Sequence, residues 1–214
     1  MNVTRKTIEL SPKKYLLKGK KRQADVYIIV VNGKRIVIKD YLYKKGLTKL
    51  YGKILAKREF SHYIKVNNLF DFFPQLYGMP DKYSIAIEYI DGKTFGDVEG
   101  KEEYCFAVEK LKECISKMHR SNIYHLDLRK RGNIIIKDEK IYLIDLASMI
   151  HLTQFSILNI FKPVFRLTDT SSVLKWKQFI CPSSLTKEER KKLKQFQWIR
   201  ALWFINKPKI PGKK

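Results

Sequence analysis

The segment His125-Leu-Asp127-Leu-Arg129-Lys-Arg-Gly-Asn133 is followed, after an apolar run and a turn, by Leu143-Ile-Asp145-Leu-Ala-Ser148. Two carboxylates and an amide in loops beside β-rich runs suit phosphoryl transfer. That reaction is mostly positioning and charge neutralisation. One carboxylate orients the attacking hydroxyl and takes up its proton. An amide oxygen and a second carboxylate hold Mg²⁺ against the phosphate oxygens, and hard oxygen ligands suit that ion. An H-x-D triplet alone is a weak signal, because Asp and Asn also cap turns. Its weight comes from Asn133, Asp145 and the elements that must position them.

Those elements are read from residue pattern. Val26-Tyr-Ile-Ile-Val-Val31 is β-branched, Asn32-Gly33 is a hairpin signal, and Arg35-Ile-Val-Ile-Lys-Asp40 reads as the returning strand. Strands are therefore predicted across residues 14–41. From Thr48 to Val66, Leu50, Ile54, Leu55 and Phe60 recur between Lys and Arg, which predicts a helix. Short strands are predicted at 75–77 and 83–89, and Asp91-Gly92 is a turn. A second helix over 101–121 carries Phe106, Val108, Leu111, Ile115 and Met118 on one side. Residues 123–125, 134–137 and 141–144 are β-rich, with Asp138-Glu139 turning between the last two. Residues 149–214 read as mainly helical, interrupted by Pro163, Pro182, Pro208 and Pro211. This order predicts two lobes, one β-rich with a helix and one α-rich, joined near 91–93.

With its motifs in this order the chain resembles the protein-kinase-like fold. Its catalytic loop reads H-R-D-x-x-x-x-N and its metal motif D-F-G. The resemblance implies an α+β bilobal fold: a β-rich N-lobe over 1–90, the catalytic part of a reduced C-lobe over 91–150, and a helical tail over 151–214, all one domain. It implies ATP and Mg²⁺. Asp127 matches the catalytic base, and Asn133 and Asp145 match the two metal ligands. Val37-Ile38-Lys39 resembles the V-A-I-K segment, whose lysine binds the α/β-phosphates. A buried ammonium needs a partner carboxylate, because an unpaired buried charge is costly; Glu59 in the first long helix is the candidate. Glu88-Tyr89-Ile90 looks like the hinge, with the backbone of Glu88 and Ile90 facing adenine. Arg129 stands where many protein kinases carry a phosphate-contacting lysine, and its guanidinium would grip the transferred phosphate. His125 shapes the loop.

Three departures accompany the resemblance. Asn133 lies six residues after Asp127, where the kinase loop has five. The second motif reads Asp145-Leu146-Ala147, which implies a site without the Phe switch. The glycine-rich loop is reduced to Gly19, with Lys20, Lys21 and Arg22 available to phosphate. No A-P-E follows Asp145, and the remaining chain is too short for a full peptide-docking lobe. The chain therefore resembles the minimal members: RIO kinases and the lipopolysaccharide-core kinases that phosphorylate Kdo or heptose. This implies ATP-dependent transfer to a sugar hydroxyl of a lipid-linked, anionic acceptor. A RIO-like protein serine/threonine kinase or ATPase, and a basic pseudokinase that binds membrane or RNA, remain as alternatives.

Charge narrows the partner. The chain holds 44 Lys+Arg against 21 Asp+Glu, a net +23, which points to an anionic partner. In the tail, Lys187, Arg190, Lys191, Lys192, Lys194 and Arg200 interleave with Phe196, Trp198, Ile199, Leu202, Trp203 and Phe204. Basic residues beside aromatics suit the headgroup region of an anionic membrane; packing of those aromatics on the C-lobe is the alternative. Nucleic acid accounts for the charge but is less favoured, since no RNA-binding motif accompanies it. A 44% apolar fraction with 12 Phe and 12 Tyr excludes a disordered chain. Three cysteines without a C-x-x-C pair predict neither a disulfide framework nor a zinc site, and fit a reducing compartment. The polar N-terminus predicts no signal peptide. The expectation is a monomeric cytoplasmic protein, peripheral on the inner membrane.

Overall fold

The chain opens with a helix that its residue pattern conceals. In the computed structural model, which describes residues 3–20 and 23–202, α1 spans Arg5–Leu10. Thr4 caps it by accepting the Thr7 amide at 3.2 Å. Six residues do not hold a helix alone; docking does. Val3 and the fully buried Ile8 join Tyr27, Ile29, Ile36 and Ile38 in a core on one face of a sheet.

That sheet contains β1 (Lys14–Leu17), β2 (Asp25–Val31) and β3 (Lys34–Asp40). Asn32 and Gly33 both have positive φ, 50° and 73°, as a two-residue type I′ hairpin demands. Helix α2 (Gly46–Asn67) crosses to β4 (Leu76–Asp81) and β5 (Ser84–Glu88), giving an antiparallel order β1-β2-β3-β5-β4. Strand periodicity divides β3: Ile36 and Ile38 face α1, while Val37 and Lys39 face the other way. The buried residues of α2 are Gly52, Ala56, Glu59, Tyr63 and Val66. Leu50 and Ile54, part of the apolar pattern that predicts this helix, are exposed instead. Close approach explains part of the choice. A Cβ on Gly52 would lie 2.5 Å from the Tyr41 side chain.

After β6 (Lys93–Thr94) come α3 (Cys105–Arg120), β7 (Ile123–Tyr124), β8 (Ile134–Lys137) and β9 (Lys140–Leu143), then β10 (Ile150–His151), α4 (Lys162–Ile180) and α5 (Lys187–Leu202). Strands β6, β8 and β9 form a small sheet, and β7 pairs with β10. The largest core joins Leu111, Ile115 and Met118 of α3 to Ile134, Leu143 and Trp176. The linker at 89–92 runs hard against β8. A Cβ on Gly92 would sit 2.2 Å from the Ile136 carbonyl oxygen, so only glycine passes there.

One expectation is corrected. Cys105 and Cys181 are disulfide-bonded, with Cα atoms 5.6 Å apart. Packing of α4 along α3 brings the start of one helix to the end of the other. A separation of 76 residues leaves no local spacing to reveal this. Cys114 is buried and free. Among the described residues no helix is long and apolar enough to cross a membrane. Lys21, Arg22 and the tail from Trp203 onward lie outside the described residues.

Arg5 ties α1 to the sheet. It donates to both Asp40 oxygens at 2.7 and 3.1 Å and to Asp81 Oδ2 at 2.5 Å. Asp40 is 2% exposed and also accepts from Tyr27 Oη and the Leu42 amide. Burial alone would raise the Asp40 pKa; these donors hold it below its ordinary value. Its contribution to stability is therefore full above the unfolded pKa of about 4 and is lost as pH falls toward the folded one. Arg5→Ala is expected to cost about 2–3 kcal/mol in urea unfolding at neutral pH and to flatten the acid-side decline.

Candidate active site

Lys39 reaches the space between sheet and helices because the β3 alternation turns it away from α1. Its ammonium donates to Glu59 Oε1 at 2.5 Å and to Asp145 Oδ1 at 3.0 Å. Glu59 is 2% exposed on the inward face of α2. Burial alone would lower the Lys39 pKa; the two carboxylates reverse that and raise it. The predicted pairing of Lys39 with Glu59 is thus present, and Asp145 joins it.

Asp145 follows β9 with φ at 67°, a left-handed conformation that costs a non-glycine residue energy. Its neighbours hold it there. Leu146, where D-F-G has Phe, is fully buried in the core. Along one face of α2, His62 Nδ1 donates to the Leu146 carbonyl at 2.8 Å, Arg58 to the Met149 carbonyl at 3.1 Å, and Lys65 to His151 Nδ1 at 2.8 Å. Burial would raise the Asp145 pKa, but Lys39 and Lys130 bring it down to about 2.

The β7–β8 loop supplies the rest. Its extra residue is absorbed by two successive turns, in which the Lys130 amide donates to the Asp127 carbonyl and the Asn133 amide to the Lys130 carbonyl. Asn133, 5% exposed, donates through Nδ2 to the Asp127 carbonyl at 2.9 Å and to Asp127 Oδ2 at 3.1 Å. Its Oδ1 is left as the accepting end. Lys130 Nζ lies 2.5 Å from Asp127 Oδ2 and 3.5 Å from Asp145 Oδ2. One ammonium therefore spans both acids.

Arg129 also reaches toward α4. Its Nη1 donates to the carbonyl and hydroxyl of Ser171 on α4, at 3.0 and 3.1 Å, and its own carbonyl accepts from Lys175. The first turn of the lengthened loop swings Arg129 toward α4 and Lys130 over the acids. The added residue between Asp127 and Asn133 is the sequence signal for a second cation, Lys130, beside the acids.

Asp169 was also missed. On α4 and 1% exposed, it accepts the amides of His125 and Leu126 at 3.0 and 2.8 Å, and His119 Nε2 at 3.1 Å. Nothing local in Arg166-Leu-Thr-Asp-Thr-Ser-Ser marks it. His125 is fully buried, and burial lowers its pKa. Its Nε2 faces the Ile144 carbonyl at 3.1 Å. A carbonyl only accepts, so Nε2 carries the proton. His125 is thus a neutral brace between the loop and β9.

The remaining candidates line the linker and the β1–β2 loop. The Glu88 amide donates to the Gln75 carbonyl, and the Glu88 carboxylate accepts the Gln75 amide. Ile90 follows, 5% exposed. Asp91 pairs with Arg35 of β3 at 2.7 Å. At Gly19 a Cβ would lie 2.2 Å from the Ala24 carbonyl oxygen. Lys44 fastens that loop by donating to the Gly19 carbonyl and to Asp25, both at 2.8 Å.

The donor set fits Mg²⁺ carried on a nucleotide. Asp145 offers a carboxylate and Asn133 an amide oxygen, both hard ligands. Among the described residues no three His, Cys, Asp or Glu side chains cluster to hold a metal. Phosphate oxygens and water would complete the shell, and Lys39 would meet the phosphates.

Residues 34–155 match the family model described as lipopolysaccharide core biosynthesis protein (WaaY). That segment is more than half of the chain and contains Lys39, Glu59, Asp127, Lys130, Asn133 and Asp145. Among solved structures, the chain is similar to the Rio2 kinase of Chaetomium thermophilum, crystallised as an ADP/Mg²⁺-phosphoaspartate complex. The TM-score is 0.61 at 14% identity, covering 90% of this chain and 71% of that one. At that identity the likeness is one of fold, and the fold is α+β and protein-kinase-like. No curated protein sequence matches the chain.

Asp169→Ala would leave two buried loop amides without an acceptor. A loss of about 2–4 kcal/mol in urea unfolding is expected. An unchanged midpoint would show that the loop is not held from α4.

Proposed function

This chain belongs to the lipopolysaccharide core biosynthesis protein (WaaY) family and is a kinase-like phosphotransferase; from that premise we propose that it transfers the γ-phosphate of Mg-ATP to a heptose or Kdo hydroxyl of the lipopolysaccharide core, at the cytoplasmic face of the membrane. The observation that carries this reading is the convergence of Lys39, Glu59, Asp145, Lys130 and Asp127 through contacts of 2.5 to 3.5 Å. All five lie in the segment the family model matches.

Residues 1–90 hold the nucleotide, and the chain from 91 onward presents the acceptor. Lys39, kept in place by Glu59, neutralises the nucleotide phosphates. The backbone of Glu88 and Ile90 lies along the adenine. Asn133 Oδ1 and Asp145 would hold Mg²⁺, which when bound neutralises charge on the phosphate oxygens. Asp127 orients the sugar hydroxyl and takes its proton as the oxygen bonds to the γ-phosphorus. The bond to the β,γ-bridging oxygen breaks, and ADP leaves. Lys130 stands on a flexible stem with its side chain 61% exposed. It moves from the carboxylates onto the transferred phosphoryl group, where the kinase resemblance also sets Arg129. Arg129 instead positions the loop from α4.

A labelled-ATP assay on dephosphorylated core saccharide tests this. Asp127→Ala is expected to lose about 10³-fold or more in transfer while Mg-ATP binding survives. Lys130→Ala is expected to lower kcat by about 10²-fold with little change in the KM for ATP. Full activity in Asp127→Ala would overturn the assignment. Label on protein, with none on saccharide, would favour the RIO-like reading.

A further inference from the structure

We propose that two exposed apolar groups, on the first half of α2 and in the segment 155–161, dock this protein on an anionic lipid bilayer. The proposal rests on the phosphotransferase reading only for its purpose, which is to bring the active site to a lipid-linked acceptor.

Helix phase defines the first group. Leu47, Tyr51 and Ile54 recur at spacings of four and three, which places them on one helix stripe. The stripe continues into Arg58, His62 and Lys65. Those three bind the chain between Leu146 and His151. The apolar half of the stripe therefore extends the surface on which the segment after Asp145 rests. Leu47, Tyr51 and Ile54 are 85, 52 and 57% exposed. From His151 the chain runs into Phe155, Ile157 and Ile160, which are 93, 86 and 72% exposed. Large apolar side chains so exposed at close spacing within each segment exceed the scattered exposure of an ordinary surface.

Charge selects the occupant. Lys45 at the N-cap of α2 and Lys53 and Lys57 on the helix are exposed beside the stripe, and Arg166 is exposed on α4, which follows the second group. An apolar stripe with a cationic border matches acyl chains beneath anionic headgroups. A second copy of the chain would bring another net +23 against this face. Nucleic acid would match the lysines and could stack on Tyr51 and Phe155, but the other four side chains, Leu47, Ile54, Ile157 and Ile160, are aliphatic and suit acyl chains instead.

Vesicle flotation tests the proposal, using phosphatidylethanolamine and phosphatidylglycerol at about three to one against neutral phosphatidylcholine. The wild type is expected to float with the anionic vesicles. The variant Leu47→Ser, Ile54→Ser, Phe155→Ser, Ile157→Ser is expected to lose on the order of a hundredfold in partitioning. The pair Phe155→Ser with Ile157→Ser leaves α2 untouched and is expected to lose about tenfold. Unchanged melting temperatures confirm that both variants fold. Equal flotation of folded variants and wild type overturns the proposal, as does a wild type that stays off anionic vesicles. A wild-type dimer that the variants dissociate, seen by sedimentation velocity, assigns the face to a second copy and also overturns it. Transfer to a water-soluble, deacylated core saccharide is measured in parallel. If that fails in the wild type while flotation responds as expected, the acceptor reading falls and the docking surface stands.

Discussion

A single buried ammonium constrains this structure more than any other group. Removing Lys39 from water costs several kcal/mol unless opposite charge meets it at close range. Glu59 and Asp145 do so from a helix and a post-strand loop, 20 and 106 residues away in sequence. Strand β3, helix α2 and the end of β9 must therefore converge on one point. The bonds from Arg58, His62 and Lys65 to the segment after Asp145 keep them there. The inward face of α2 follows the same demand, since it buries a glutamate beside Gly52, Ala56, Tyr63 and Val66 and leaves Leu50 and Ile54 outside.

Acids of two kinds are separated by exposure and by partner. Asp40 and Asp169 are 2 and 1% exposed, and each is surrounded by donors that hold structure. One fixes α1 to the sheet, and the other fixes the Asp127 loop to α4. The side chains of Asp127 and Asp145 are 26 and 31% exposed, and the partner they share, Lys130, is itself 61% exposed. The buried acids are saturated by buried or half-buried donors; the two acids proposed as reactive face a solvent-exposed ammonium. This division supports placing the chemistry on Asp127 and Asp145.

Much of this was legible in the residue pattern. The Asn32-Gly33 hairpin is visible because few other dipeptides accept two positive φ angles. Glu59 can be found by asking what neutralises a buried Lys39. Asp127, Asn133 and Asp145 stand out by type and order. What was hidden depends on distance or phase. Helix α1 forms because Ile8 docks on the sheet and Arg5 finds Asp40 and Asp81, all far along the chain. Asp169 and the Cys105–Cys181 bridge rest on the packing of α3 and α4. Arg129 reaches Ser171 while Lys130 reaches Asp127 and Asp145 because two turns fix which side of the loop each residue leaves, and a motif alignment does not contain that information. The exposed stripe on α2 has the periodicity of a core-facing helix, and only the position of Glu59 shows which face is buried.

The central claim is that the ammonium of Lys39, set between two carboxylates, receives nucleotide phosphates. Calorimetric titration with Mg-ATP of wild type and Lys39→Met, with circular dichroism to confirm folding, tests it most directly. The account predicts a loss in affinity of at least about tenfold, the share expected of one charge-assisted contact. A folded Lys39→Met protein that binds Mg-ATP as tightly as the wild type would contradict it.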